Sequence, residues 1–153
     1  MRRSILSVLL TVLVLIPSAV RAQEALIEML RADVRAEKVA IITETMMFTD
    51  EQAEAFWPVY RKYEAELSGI TDAALANMKD YAENYDSMTD KKAKEIVKRS
   101  FKNQERRLAL QKKYYERFSK ILGPITAAKF FQLEREINLL IDLQIAEALP
   151  FFK

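Results

Sequence analysis

The sequence predicts an all-α protein, and three observations support that prediction. Apolar residues recur at spacings of three and four along most of the chain, which is the period of a helix. Glycine occurs only twice and proline four times, too few for the turns that sheets need. No segment alternates apolar and polar residues as a half-buried strand would. We expect four helices that form a small bundle.

The N-terminal segment is organised like a secretory signal peptide. Two arginines precede an apolar run from Ile5 to Ile16, and small residues follow up to Ala22. This run is well short of the roughly 20 residues that span a bilayer, so cleavage after Ala22 is expected rather than a membrane anchor. The sequence therefore predicts residues 1–22 as a signal peptide and residues 23–153 as one helical domain in the periplasm. Export by the Sec or by the twin-arginine route stays open.

The composition excludes several classes of function. The chain has no histidine and no cysteine, which excludes disulfides, Cys/His zinc sites, thiol nucleophiles and Ser–His couples. Without the first 22 residues, 21 basic and 22 acidic residues remain, so nucleic-acid binding is not favoured. Glu134 with Glu136, or Asp142 alone, could be proposed as acid–base groups, but the first two do not share a helix face. We expect neither enzymatic activity nor a cofactor or metal.

The first two predicted helices are separated by a recognisable start signal. The first helix is expected from about Glu24 to Thr45. Thr49 then caps the second helix, and Gln52 three residues later completes a capping box. The second helix carries an apolar stripe with helical spacing, formed by Phe56, Tyr60, Tyr63 and Leu67.

Two residues inside the second helix disfavour helical structure. Pro58 predicts either a kink or a separate short helix before it, and the kink is favoured because the apolar stripe crosses Pro58 in register. Gly69 weakens the helix, which continues or restarts beyond it.

Thr89 caps a third helix, predicted from Asp90 to about Leu122, and Gly123-Pro124 ends it. The residues of this helix expected to face inward are Ile96, Val97, Phe101, Leu108, Tyr115 and Phe118. A fourth helix is predicted from about Ile125 to Ala148.

The two capped helix starts resemble a family motif. Phe48-Thr49-Asp50-Glu51-Gln52 resembles the Leu-Thr-x-x-Gln motif of the Spy/CpxP family of small periplasmic helical proteins. Met88-Thr89-Asp90-Lys91-Lys92 resembles a second copy, with Lys92 where glutamine is expected. The resemblance implies a bent helical hairpin that dimerises into a shallow cradle, with ATP-independent chaperoning or envelope-stress sensing as the activity. The zinc binding of some relatives through His or Cys is not implied, because neither residue occurs.

Charge is divided between the second and third helices. Residues 50–86 include nine acidic and three basic residues, whereas residues 90–120 include twelve basic and four acidic residues. The two helices are expected to neutralise each other as antiparallel neighbours, or a basic face attracts acidic client segments or anionic headgroups; both can hold, because a helix has more than one polar side. Adjacent aromatic residues on a helix cannot all be buried, so some should contact clients. The predicted client-binding residues are Lys94, Lys98, Lys102, Arg106, Trp57 and Tyr114.

The fourth helix is apolar on nearly every side, which predicts dimerisation through it. Leu139 and Leu143 are the predicted dimer contacts, whereas Ile137, Leu140 and Ile141 are expected in the core of the chain's own bundle. Burial at the centre of a monomeric bundle is the alternative.

Together these patterns predict an exported polypeptide-binding protein that works without ATP, as a chaperone-like protein or an envelope-stress adaptor. The alternative is a structural dimeric interaction module for one specific envelope partner. The expected partners are unfolded or partner polypeptides and a second copy of the chain. No nucleic acid and no membrane span after cleavage are expected, and weak contact with a membrane surface stays open.

Overall fold

The computed structural model describes residues 36–148 of the 153-residue chain, with side chains described up to residue 140. This part contains four α-helices, one short 3₁₀ helix and no strand, so the all-α prediction is confirmed. The elements are α1 (36–46), α2 (Asp50–Glu83), the 3₁₀ helix (Tyr85–Ser87), α3 (Asp90–Leu122) and α4 (Pro124–Ala148). The predicted signal peptide lies outside the described residues.

The chain divides into two compact units between Thr45 and Met46, and all but the last residue of helix α1 belongs to the first unit. The Thr43 hydroxyl donates to the carbonyl of Val39, four residues earlier, at 2.7 Å. Of the two adjacent isoleucines at its C-terminal end, the first is exposed and the second, Ile42, is buried.

Helix α2 begins at the predicted capping box. The Gln52 amide donates to Oγ1 of Thr49 at 3.2 Å, and the Thr49 amide donates to Oε1 of Gln52 at 3.1 Å. Phe48, just before the cap, packs against Phe56 with 4.6 Å between ring centroids. Two otherwise unsatisfied amide donors are paired, and the aromatic contact sets the direction in which the chain enters the helix.

Helix α2 continues without interruption through Pro58 and Gly69. The alternative of a separate short helix before Pro58 is therefore wrong. Phe56 and Tyr60, on either side of the proline, are both buried in the core. Their burial on one continuous face offsets the roughly 3 kcal/mol that a proline costs inside a helix.

Helices α2 and α3 form an antiparallel hairpin. Phe56, near the start of α2, contacts Phe118, near the end of α3, with 5.0 Å between centroids. Asn77, near the end of α2, donates to the carbonyl of Ile96, near the start of α3, at 3.1 Å. Gly123 ends α3 with a positive φ of 83°, which glycine adopts without strain, and α4 follows directly.

Helix α4 packs where α2 begins and α3 ends. The Phe130 ring lies 5.1 Å from that of Phe56 and 4.9 Å from that of Phe118. One turn further along α4, the fully buried Glu134 accepts a hydrogen bond from the Tyr63 hydroxyl at 3.2 Å. We call this three-helix region the aromatic end; its buried rings are Phe56, Tyr60, Tyr63, Tyr114, Phe118 and Phe130.

Burial has an electrostatic consequence at the aromatic end. It raises the pKa of both Tyr60 and Tyr63, and the nearby carboxylates Glu64 and Glu134 raise the pKa of each further. Both tyrosines therefore stay protonated in the folded chain well above their ordinary range. Among the residues searched, no helix has the length and apolar character needed to cross a membrane.

Candidate functional site

Helix α3 carries two lines of apolar residues, and the hairpin buries one of them. The buried residues of α3 are Ile96, Leu110, Tyr114, Phe118 and Leu122. Val97, Phe101 and Leu108 form a second line, which we call the open apolar line, and they are 40%, 60% and 53% exposed. The prediction that these three residues face inward is wrong. Ile96 and Phe101 are five residues apart and so lie about 140° from each other around the helix, too far for one hairpin partner to cover both.

A row of basic side chains on α3 begins beside the open apolar line and then diverges from it, because a four-residue spacing advances about 40° around the helix at each step. The four residues of this basic row are all exposed, and none forms a hydrogen bond or ion pair with another residue in the described part of the chain; they are Lys94, Lys98, Lys102 and Arg106. Lys94 precedes Val97 by three residues, and Lys98 precedes Phe101 by three, so each lysine is a surface neighbour of an apolar side chain. The surface combines apolar area with unneutralised positive charge.

Other basic residues of α3 neutralise the acidic helix α2. The carboxylate of Asp80 accepts from Nζ of Lys92 at 2.7 Å and also from the guanidinium of Arg99. The carboxylate of Glu66 accepts from Nζ of Lys113 at 2.6 and 2.8 Å. Mutual neutralisation of the two helices and unpaired basic side chains therefore coexist on α3.

The second capping motif has only one half of a capping box. Oγ1 of Thr89 accepts from the Lys92 amide at 3.2 Å, as the predicted cap requires. The Lys92 side chain bonds to Asp80 of α2, where a glutamine would return to the Thr89 amide. Hydrogen bonds from Lys92 and Arg99 hold the pKa of Asp80 below its ordinary value. The lysine in this motif thus joins the start of α3 to the end of α2.

Tyr114 does not belong to an exposed binding surface, contrary to the prediction. Its side chain is fully buried, and its hydroxyl donates to Oε1 of Glu66 at 2.8 Å. Burial and this hydrogen bond raise the pKa of Tyr114, whereas hydrogen bonds from Lys113 and Tyr114 lower the pKa of Glu66. Of the adjacent pair Tyr114-Tyr115, Tyr114 faces the core and Tyr115 is half-buried.

Trp57 is half-buried and lies far along the hairpin from the basic row. It makes an edge contact with Phe56 at 5.1 Å, and Phe56 in turn contacts Phe118. Phe118 is twelve residues, or about 18 Å of helix, beyond Arg106, the nearest member of the basic row. The structure therefore does not bring Trp57 together with the predicted basic residues.

Two adjacent leucines of α4 are exposed. Leu139 is 55% exposed, as expected for a dimer contact, and Leu140 is 66% exposed, so the prediction that Leu140 belongs to the core is wrong. The contacts of α4 with the hairpin that place Glu134 in the core do not cover these leucines, one turn further on. The side chains of Leu143 and Ile141 lie outside the described residues, and dimerisation stays a prediction.

Sequence reasoning missed the open apolar line, although a signal was present. Phe101, Leu108 and Tyr115 recur every seven residues, on a line separate from Ile96 and the other buried residues. Within the described residues no group of acidic side chains is arranged to hold a metal ion.

No protein-family model, characterised protein or solved structure matches this chain. The resemblance to the Spy/CpxP family thus depends on the two capped helix starts and the helical layout of the chain itself.

Proposed function

We propose that this chain is an exported protein that binds polypeptides without ATP, as a chaperone-like protein or an envelope-stress adaptor. The observation that supports the proposal best is the exposed surface of α3, where Lys94 and Lys98 of the basic row lie beside Val97 and Phe101 of the open apolar line. Exposed apolar patches bordered by charge mark protein-interaction sites. Unpaired lysines beside them attract acidic polypeptide segments over a distance of about a Debye length, roughly 8–10 Å.

The binding residues in this proposal differ from those expected from the sequence. Lys94, Lys98, Lys102 and Arg106 are retained because they are exposed and unpaired in the described part of the chain. The proposed apolar contacts are Val97, Phe101 and Leu108, which are exposed, whereas Tyr114 is buried and cannot contact a client.

The proposal is tested by aggregation suppression with the purified protein, no nucleotide and two unrelated denatured clients. Lys98→Glu with Lys102→Glu should weaken suppression, because it reverses charge at the proposed site. The matched control is Arg61→Glu with Lys62→Glu, the same charge change at two exposed positions of α2. Salt at about 1 M shortens the Debye length to roughly 3 Å and should weaken suppression by the parent. Absence of suppression with both clients would contradict the proposal.

The second candidate is a dimeric interaction module for one envelope partner, and the exposed pair Leu139 and Leu140 favours it. A soluble helix that exposes two adjacent leucines gains by burying them against an identical surface related by a two-fold axis. Sedimentation should show a dimer for the parent and a folded monomer for Leu139→Glu with Leu140→Glu. Ile125→Glu, at an exposed isoleucine near the start of α4, is the control and should leave the dimer intact. A monomeric parent at tens of micromolar would contradict dimerisation through α4.

A further inference from the structure

The open apolar line continues into a contact that the chain already makes. From Val97 the apolar residues follow at spacings of four, seven and seven, through Phe101 and Leu108 to Tyr115. Seven residues are nearly two helical turns, so successive members drift by only about 20° around the helix. This is the spacing of the seam along which one helix packs lengthwise on another.

We call the line of Val97, Phe101, Leu108 and Tyr115 the seam of α3, and helix α4 occupies one end of it. Tyr115 is half-buried and contacts Phe131 of α4 with 5.9 Å between ring centroids. Phe131 also contacts Phe118, on the adjacent position of α3, at 6.0 Å. This side of α3 therefore packs against a helix in the folded chain. Toward the start of α3 the same seam stays exposed at Leu108, Phe101 and Val97.

The charge beside the seam decides which helix fits the exposed part. Four exposed charged residues lie three or four positions from a member of the seam: Lys94, Lys98 and Lys112, and one acidic residue, Glu105, so the flank is basic on balance. A helix docked there would place its flanking residues against these lysines, as residues beside the seam do in paired helices. Glutamate or aspartate at those flanks would be attracted, and lysine or arginine would be repelled.

Neither hairpin helix of a second copy of this chain meets that requirement. Helix α3 of a second copy would bring the same excess of basic residues to the interface. Helix α2 is acidic, but it exposes no large hydrophobic side chain between Asp50 and Glu83. The occupant needs both an apolar stripe and acidic flanks on one helix.

We infer that the exposed part of the seam, from Val97 to Leu108, binds an acidic amphipathic helix of another polypeptide. This inference rests on the proposed function and names the chemical class of its ligand. Apolar side chains of the ligand at heptad spacing pack against Val97, Phe101 and Leu108, and its flanking carboxylates face Lys94, Lys98 and Lys112. Gln104, an exposed polar residue within the seam, disfavours ligands that place an apolar side chain opposite it and so selects one register.

The test uses a labelled peptide of about three heptads, with leucine at the seam positions other than the one opposite Gln104 and glutamate at the flanks. Its like charges prevent self-pairing, so binding reports this protein alone. One control peptide has the same composition in scrambled order, and the other has lysine in place of glutamate. Fluorescence anisotropy with the full chain should show at least about ten-fold tighter binding of the acidic heptad peptide than of either control, a difference of about 1.4 kcal/mol.

Substitutions then locate the binding site. Phe101→Ser with Leu108→Ser should weaken peptide binding about ten-fold or more while circular dichroism and urea unfolding stay unchanged, because both side chains are exposed. Ile125→Ser removes an isoleucine that is 87% exposed outside the seam and should leave binding unchanged. Equal weakening by both substitutions, or none by the first, would overturn the assignment of the site.

The remaining outcomes separate this inference from the proposed function. Equal binding of the scrambled peptide would overturn the preference for a helix, while aggregation suppression would still support polypeptide binding. Aggregation suppression without binding of any peptide would likewise overturn the preference for a helix and still support polypeptide binding. Peptide binding without aggregation suppression would support helix docking at the seam and contradict a chaperone function. Binding to anionic vesicles that is lost in Phe101→Ser with Leu108→Ser, without peptide binding, would identify a membrane surface as the ligand. A parent dimer that this double substitution converts to a monomer would identify a second copy as the occupant; either result would overturn the inference.

Discussion

The two ends of the α2–α3 hairpin are held together by different interactions. At the aromatic end, α4 adds a third helix, and ring-to-ring contacts such as that between Phe118 and Phe130 fill the interior. At the other end, which we call the hairpin tip, the two helices are joined by the buried amide of Asn77 and by the ion pairs of Asp80 with Lys92 and Arg99.

This difference shows what a third helix contributes. Where α4 packs, both apolar lines of α3 have a partner, since Phe118 is buried and Tyr115 is half-buried. Toward the tip, the second line is left exposed at Phe101 and Leu108, and the ring contact of Tyr81 with Tyr85 is accompanied by the polar contacts of Asn77 and Asp80. The stable end is therefore a closed core, and the exposed end is where a ligand has apolar surface to bury.

Raising the pH should break the aromatic end and has the largest expected effect. The folded pKa values of Tyr60 and Tyr63 lie above the ordinary value of 10.0, so their contribution to stability is complete below pH 10 and is lost as the pH rises. Each group loses up to about 1.4 kcal/mol per pH unit above that value for as long as it stays protonated in the folded chain. Far-UV circular dichroism against pH measures this. Tyr60→Phe should move the alkaline transition to higher pH, and an unchanged transition would exclude tyrosine ionisation as its cause.

A matched pair of phenylalanine substitutions compares buried and exposed positions of α3. Phe118→Ala should lower the free energy of unfolding by about 3–5 kcal/mol, because it opens a cavity among packed rings. Phe101→Ala deletes the same atoms from an exposed position and should change the free energy of unfolding by about 0.5 kcal/mol or less. Urea unfolding of both variants decides the comparison. Similar losses in the two would mean that Phe101 is buried in solution.

Glu134, the buried carboxylate that links α4 to the hairpin, should have an intermediate effect on stability. Glu134→Ala leaves the buried Tyr63 hydroxyl without this acceptor and should cost about 1–3 kcal/mol. Glu136→Ala, two residues further along α4, is the control because it removes an exposed carboxylate. Among the contacts described, that carboxylate accepts one hydrogen bond, from the Gln132 side chain of the same helix at 3.2 Å. This substitution should cost about 0.5 kcal/mol or less. Equal urea midpoints for the two variants would show that Glu134 contributes nothing to the docking of α4.

The two helix caps also compare the ends of the hairpin, and their removal should change stability by less. Thr49→Ala removes a complete capping box at the aromatic end and should cost about 1 kcal/mol. Thr89→Ala at the tip removes a single side-chain hydrogen bond and should cost less, because Lys92 still pairs with Asp80. Thr49→Ser retains the hydroxyl and should restore most of the loss. If thermal unfolding of Thr49→Ala matches that of the parent, the cap does not stabilise α2.

The smallest effect is expected from the ion pairs at the tip, which are partly exposed to solvent. The pKa of Asp80 is lowered by hydrogen bonds from Lys92 and Arg99, so its stabilising contribution is present above the ordinary value of 3.8 and is lost as the pH falls below it. Asp80→Asn should be less stable than the parent near neutral pH, and the difference should disappear in acid. A difference that persists unchanged to pH values well below 3.8 would mean that charge is not its source.

Much of the fold was predictable from the sequence because its signals are local. Thr49 with Gln52 and Thr89 mark helix starts through hydrogen bonds to amides three residues away. Gly123 with Pro124 marks a helix end through backbone geometry alone. The candidate site is predictable only in part: the basic row is exposed as expected, whereas Val97, Phe101 and Leu108, which the helical period predicts to face inward, are exposed.

What the sequence by itself determined is therefore the set of helices, their caps and the excess of basic residues on α3, since each depends on residues within a few positions of one another. Only the tertiary structure decided which of the two apolar lines of α3 is buried, because that depends on where α2 and α4 pack. The same packing placed Tyr114 inside and Phe101 outside, and paired Lys92 with Asp80 rather than with its own helix cap. Helical period identifies every face that could be buried, but the number of neighbouring helices sets how many faces are covered.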